Sequence, residues 1–408
     1  MRVFLLILLT SLAALVNAQD IRVYGSVTNS LNNEPIPFAN IVIDGTTIGA
    51  TTDFDGNFEM EGIAPGLYNF KCSYIGFNTS IKTEIQLTPN KNLRLNFAMT
   101  ENAQIIEEVQ VTANTFNKTE ESPTSLRTIN ASEIYRSPGG NRDISKVIAN
   151  LPGVSSTPSF RNDIVIRGGA PNENRFFLDG VEIPNINHFA TQGSSGGPVG
   201  IINVNFIREV DFYSGAFPAN RGNALSSVME LKQIEGSDEE FSGSFMLGSS
   251  DAGLTINTPL SEKSTMLISA RRSYLQFLFQ ALQLPFLPTY NDIQFKLTHK
   301  PDKKNQFNII GLAAIDEFTL NPEANDGIDD PQRLAQNEYT LNNLPVNEQW
   351  NYTLGGTWKR FFDNSNLFVV LSRSHLNNTA VKYADYADLT SQKLIDYESQ
   401  EIENKSRV

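Results

Sequence analysis

The chain has 408 residues, a single cysteine, three histidines and a formal net charge of −13 at pH 7. Cys72 alone excludes an intrachain disulfide framework and a thiolate metal cluster, while His188, His299 and His375 stand far apart and outside any zinc-binding spacing. With no Gly-rich phosphate loop ending in Lys-Ser or Lys-Thr, and an acidic balance without a basic patch, the sequence supports no enzyme, cofactor or nucleic-acid partner.

The chain opens "MRVFLLILLTSLAALVNAQD". A basic Arg2, an apolar run over 3–16 and small residues around Ala18 predict a secretory signal over 1–18, with the mature protein starting at Gln19 outside the cytoplasm. That run is too short to cross a bilayer, and no later segment is apolar enough to be a membrane helix.

Residues 19–100 predict a β-sandwich. The alternating runs "IRVYGSV", "ANIVIDG", "NFEMEGI", "YNFKCSYIG" and "NLRLNFAM" are separated by Gly, Pro, Asn and Asp turns. The stretch "TTDFDGNFEMEGIAPGLYNFKCSYIGF" resembles the carboxypeptidase-regulatory-like, or transthyretin-like, domain. Its Asp53–Phe58 segment lacks the further spaced oxygens and terminal Glu of a calcium loop, and reads as a turn ahead of a core phenylalanine. No peptidase domain accompanies it.

Over 101–122 the character changes: an extended run from Ile105 to Val111 gives way to a polar linker. The hexapeptide Glu107, Glu108, Val109, Gln110, Val111, Thr112 has two readings, a terminal strand of the first domain or a segment offered to a partner.

Residues 123–237 mix helix and strand, and eight of their ten basic residues are arginine, which suits charges paired inside a polar cavity. "RDISKVIANLPGV" carries Ile144, Val147, Ile148 and Leu151 at helical spacing, stopped by Pro152-Gly153. In "NDIVIRGGAPNENRFFLDGVEIP", Asp179-Gly180 predicts a tight hairpin, since both residues tolerate positive φ. Leu151-Pro152-Gly153-Val154, Ile166-Arg167-Gly168-Gly169, Asn174-Arg175 with Phe177 to Val181, and Ile207 to Val210 ahead of Ser214-Gly215 occur in that order. Together they resemble the plug domain of TonB-dependent outer-membrane receptors.

The resemblance implies a plug that closes a barrel. It makes 107–112 the segment that TonB, with its inner-membrane energising complex, captures by strand addition. Arg161, Arg167 and Arg175 are expected to fork onto carboxylates of the barrel wall.

Residues 238–408 add period-2 segments of the outer-membrane type, with up to eight strands near 240–249, 251–259, 264–274, 290–299, 305–315, 347–360, 366–378 and 392–404. In "QWNYTLGGTWK", Trp350, Tyr352, Leu354, Gly356 and Trp358 share one face, and Gln349, Asn351, Thr353, Thr357 and Lys359 the other. Trp350, Tyr352 and Trp358 are the expected membrane girdle residues, the two tryptophans lying about 20 Å apart along a tilted strand. The apolar run 275–288 reads as a short helix across the barrel mouth or a docking surface, and the acidic run 316–330 as a solvated loop or a divalent-ion site.

The expected fold class is therefore mainly β: a β-sandwich, a mixed α/β plug, and the first strands of an antiparallel transmembrane β-barrel. Plugged transporters use about 22 strands, so 171 residues imply a partial barrel and a longer protein. The expected function is nutrient import at the outer membrane, the β-sandwich lying in the periplasm and the partners being TonB, outer-membrane lipid and an unknown nutrient. Import of a glycan with a surface lipoprotein, or adhesion without transport, are the alternatives.

Overall fold

A computed structural model describes residues 21–88, 92–102, 125–156, 161–190, 197–248 and 250–408. The expected signal (1–18) and the hexapeptide 107–112 lie outside them. Two compact units are distinguished.

The first unit is a pair of packed sheets. Strand β1 (Ile21–Asn29) alternates buried and half-buried residues along its length. It is followed by β2 (Asn40–Ile43), β3 (Gly49–Thr51), β4 (Asn57–Ile63), β5 (Gly66–Ser73), β6 (Ser80–Leu87), β7 (Leu93–Arg94) and β8 (Phe97–Met99). One sheet runs β4-β1-β7 with β8 also on β1, the other β3-β2-β5-β6. Their inner faces meet in a core that includes Val23, Val27, Ile41, Phe58, Phe70 and Phe97. Asp53 accepts the backbone N–H groups of Asp55 and Asn57 at 2.9 and 2.8 Å, forming the expected turn ahead of buried Phe58. Cys72 lies in this core, where burial pushes its thiol up to about 12.

The second unit begins with β9 (Leu126–Asn130), α1 (Ala131–Arg136) and α2 (Ile144–Ile148). Asp143 caps α2 by accepting the Ser145 N–H at 2.8 Å. Strands β10 (Val154–Ser156) and β11 (Ile164–Ile166) form a small ribbon. Then come β12 (Arg175–Leu178), β13 (Val181–Ile183), β14 (Asn187–His188), β15 (Val199–Gly200), β16 (Ile207–Tyr213) and β17 (Val228–Gln233). Five of these make a sheet in the order β13-β12-β17-β16-β9, with β12 and β17 parallel.

The same unit continues as an antiparallel wall of eight strands in sequence order. These are β18 (Ser242–Leu247), β19 (Asp251–Ser261), β20 (Ser264–Ser273), β21 (Phe286–Asp302), β22 (Asn305–Leu320), β23 (Val346–Phe362), β24 (Ser365–Tyr383) and β25 (Lys393–Arg407). Helices α3 (Leu275–Ala281) and α4 (Pro331–Asn343) sit in two of the connections. Links β19–β20, β21–β22 and β23–β24 take two residues each, whereas those holding the helices span 274–285 and 321–345. Long connections thus sort to one end of the wall, as in bacterial barrels.

Strands β21 to β25 have 15 to 19 residues, longer than the ~9–11 needed to span a bilayer. No helix among the described residues is long and apolar enough to cross a membrane. The acidic run is not one loop: Asp316 and Glu317 belong to β22, and Asp330 caps α4 through the Gln332 N–H. Among the described residues no group of acidic, His or Cys side chains is placed to hold a metal ion.

Candidate functional site: the seam between plug and wall

The β12–β13 hairpin shows how local chemistry becomes a contact with the wall. Leu178 pairs with Val181, and the turn between them holds Asp179 at φ 47° and Gly180 at φ 86°. Both values lie where only Gly, Asn and Asp are comfortable. A side chain at Gly180 would also meet the ring of Phe368 on β24, 2.8 Å from the place of a Cβ. One Asp179 oxygen accepts the Gln233 N–H at 2.8 Å and the other the Nζ of Lys296, on β21, at 2.7 Å. The residue that makes the turn therefore also anchors it.

The motif Arg167-Gly168-Gly169 forms a second turn. Arg167 and Gly168 have φ of 49° and 84°. A Cβ on Gly169 would fall 1.9 Å from Ser226 Oγ, so any side chain there would have to displace the Ser226 hydroxyl.

The expectation that plug arginines fork onto the barrel wall is corrected. Arg161 pairs with Asp163 at 2.7 Å, and Arg175 donates to backbone carbonyls of Asn172, Asn174 and Asn223 and faces Glu182 at 3.7 Å, all within the plug. The Arg167 side chain runs beside Gly153 and Gly215. Across the seam most of the ion pairs run the other way, with bases on the wall. Glu182 of the plug meets Lys405 at 2.8 Å and Arg407 at 3.4 Å on β25. The guanidinium groups of Arg221 and Arg407 lie 4.7 and 4.9 Å from the ring centre of buried Phe177.

The most buried part of the seam surrounds His188. Its Nδ1 lies 2.7 Å from Asp316 on β22 and its Nε2 3.1 Å from Asp292 on β21. Tyr290 stacks on the imidazole at 4.2 Å between ring centres. Asp316 also accepts the Phe189 N–H at 2.7 Å. Asp292 accepts Arg271 Nε at 3.0 Å, and Arg271 Nη2 reaches the carbonyls of Gly200 and Ile201 at 3.0 and 2.7 Å. Burial alone would lower the imidazole's proton affinity, but the Asp316 charge and the hydrogen bonds to both carboxylates outweigh it and raise the value to about 9.

Single hydrogen bonds complete the seam. The Asn203 amide donates to Thr255 and Ser269, its backbone N–H donates to Gln294, and Gln349 donates to the Ala190 carbonyl. A polar cavity of about 30 Å³ lies beside α2, lined by Arg142, Asp143, Lys146, Asp251, Arg271 and Tyr290 among others. Burial pushes the Asp143 carboxyl above its usual range against the opposing hydrogen bonds from Ser145 and Asn162.

On β23, Gln349, Asn351, Thr353 and Thr357 are buried toward the plug. Trp350 and Leu354 are exposed on the opposite face. Trp350 packs with Tyr352 and His375, and Trp358 stacks on Phe307 at 6.0 Å with the rings nearly parallel, giving two aromatic clusters on the outer face. Arg373 donates to the Tyr352 hydroxyl at 3.1 Å, the contact of a long base reaching along an apolar surface to a polar edge. Helix α3 packs Phe279 edge-on against Phe286, which stacks on Phe318.

Sequence reasoning missed His188, Arg271, Asp292, Lys296 and Asp316 as a set. The signal was present in β21, where Tyr290, Asp292, Gln294 and Lys296 fall on alternate positions opposite Ile293, Phe295 and Leu297.

Residues 23–111 match the carboxypeptidase-regulatory-like domain family, and residues 118–228 match the TonB-dependent receptor plug domain. TonB-dependent receptor SusC of Bacteroides thetaiotaomicron is 31% identical over 176 residues, which is 41% of this chain and 17% of that protein. TonB-dependent transporter Oar of Myxococcus xanthus is 23% identical over 240 residues, 56% of this chain and 21% of that protein. The chain thus spans only about a fifth of the length of these curated relatives. Among solved structures, a mutant of the ferric enterobactin receptor of Pseudomonas aeruginosa superimposes with a TM-score of 0.48 at 15% identity, covering 72% of this chain and 47% of that one. The chain thus carries a regulatory-like domain followed by the plug domain of TonB-dependent receptors.

Proposed function

We propose that the protein imports a scarce nutrient through the outer membrane, and that a pull on Glu107–Thr112 by TonB and its inner-membrane energising complex displaces the plug. The seam is the observation that carries this reading. Apolar contact from the wall to the plug core comes from Ile310, Leu312, Ala314 and Val370, with Phe368 beside them. Much of the remaining seam is ion pairs and single hydrogen bonds, which water can replace at small net cost as they open. Such a seam holds the plug at rest and still lets it move under load.

The hexapeptide suits capture by strand addition, because Val109 and Val111 share a face and the backbone supplies the bonds. In this reading the regulatory-like domain and the hexapeptide lie on the periplasmic side. Deleting Glu107–Thr112 from the complete receptor should abolish uptake while leaving assembly and cargo binding intact. Val109→Pro should behave almost like the deletion, since proline removes an N–H, and Gln110→Ala should be nearly silent. Uptake, binding and protease resistance, measured together, separate this from an adhesion protein that carries nothing. Normal uptake by Val109→Pro, or uptake lost in proportion to folded receptor, rejects the coupling role.

A further inference from the structure

We propose that His188 is an imidazolium latch pinning the plug to strands β21 and β22, and that loss of its proton loosens the plug there. The geometry makes the argument. Both ring nitrogens face carboxylate oxygens, Asp316 at 2.7 Å and Asp292 at 3.1 Å. A neutral imidazole has one N–H and one lone pair. In either tautomer one of these contacts would set a lone pair against a carboxylate, in a place where His188, Asp292 and Asp316 side chains are at most 1% exposed. Only the doubly protonated ring donates to both.

The charge count agrees. From the plug comes His188; from the wall come Arg271 on β20, Asp292 and Tyr290 on β21, and Asp316 on β22, with Asp251 on β19 near Arg271 and Tyr290. Asp143 stands behind, bonded to Asn187 beside the histidine and close to Gly200. Asp292 has Arg271 as its own counter-ion. Asp316 has the Phe189 N–H and the imidazole, so His188 is the cation that balances it.

The sign of the pH effect follows. The folded value, about 9, lies above the ordinary histidine value. The latch is therefore at full strength below about 6.5, and its contribution is lost as pH rises through about 9.

The protonation state stands apart from the transport reading, while the role in plug release rests on it. The test is histidine C2–H exchange, read peptide by peptide by mass spectrometry, on the complete receptor in outer-membrane preparations. A midpoint near 9 for His188 is expected; one at or below about 6.5 overturns the latch, whatever the receptor transports. Backbone hydrogen exchange of 186–190 and 199–202, corrected for intrinsic rate, should speed up at least about tenfold from pH 7 to 10. Unchanged protection across that range also contradicts the proposal. Asp316→Asn should lower the His188 midpoint and expose the same segments at neutral pH. An unmoved midpoint counts against the pairing, and if that variant does not assemble, the wild-type titration still decides.

Discussion

Asp179 carries two duties, and a single substitution separates them. Asparagine also tolerates the positive φ of the turn, so Asp179→Asn should keep the β12–β13 hairpin and remove the charge facing Lys296. That leaves an ammonium only 7% exposed without its counter-ion. The expected cost is about 1–3 kcal/mol, read as lower urea resistance of the plug in the assembled receptor. Lys296→Met added to it should restore much of that loss, because the stranded charge is gone. Failure of the second change to rescue the first would show that the turn, and not the ion pair, is what the carboxylate supports. The turn was legible in the sequence because its chemistry is local. The ion pair was not, since its partners lie 117 positions apart. The arginines misled for the same reason: their residue type suggested forked pairs, but Asp163 and nearby carbonyls of the plug were closer than the wall.

At the scale of elements, period-2 alternation made the wall readable, and all eight strands fall on the expected segments. Their upper ends were harder to place. Half of the apolar run 275–288 becomes α3 and its end begins β21 at Phe286, a division that hydrophobicity alone does not mark. Helix α4 was missed although Asp330 and Pro331 signal a helix start; it buries only Asn337 and Leu341, too little for a 3.6-residue rhythm. Strand β6 was missed because a bulge interrupts its alternation, with the register shifting between Tyr68 and Phe70 and Glu84 at φ 55°. The outer face carries a separate expectation. Ile309, 44% exposed on β22 between the aromatic clusters, should face hydrocarbon, so Ile309→Arg should cost about 2–4 kcal/mol of assembled stability. Ile309→Ser should be much milder. Equal folding of both variants in a detergent-to-lipid refolding titration would put that face in water.

At the scale of the molecule, the second unit sets a plug against a wall through contacts that must open if anything is to pass. The strand wall and the plug were legible from motif order and alternation; the chemistry between them was not, because it appears only when both are folded. Gly355 of β23 lies close against the plug, where a Cβ would stand 3.1 Å from that of Val181. This is within a few tenths of an ångström of the ~3.5–4.5 Å spacing of a disulfide. The pair Gly355→Cys with Val181→Cys therefore offers a reversible tether between wall and plug. The decisive measurement is energised uptake by cells carrying the complete receptor with this pair, oxidised and then reduced, using a nutrient whose uptake is lost when the receptor is deleted. Uptake should be abolished in the oxidised form with binding retained, and restored by reduction. Undiminished uptake with the tether closed would show that the plug does not leave β23 during transport, and would contradict the account.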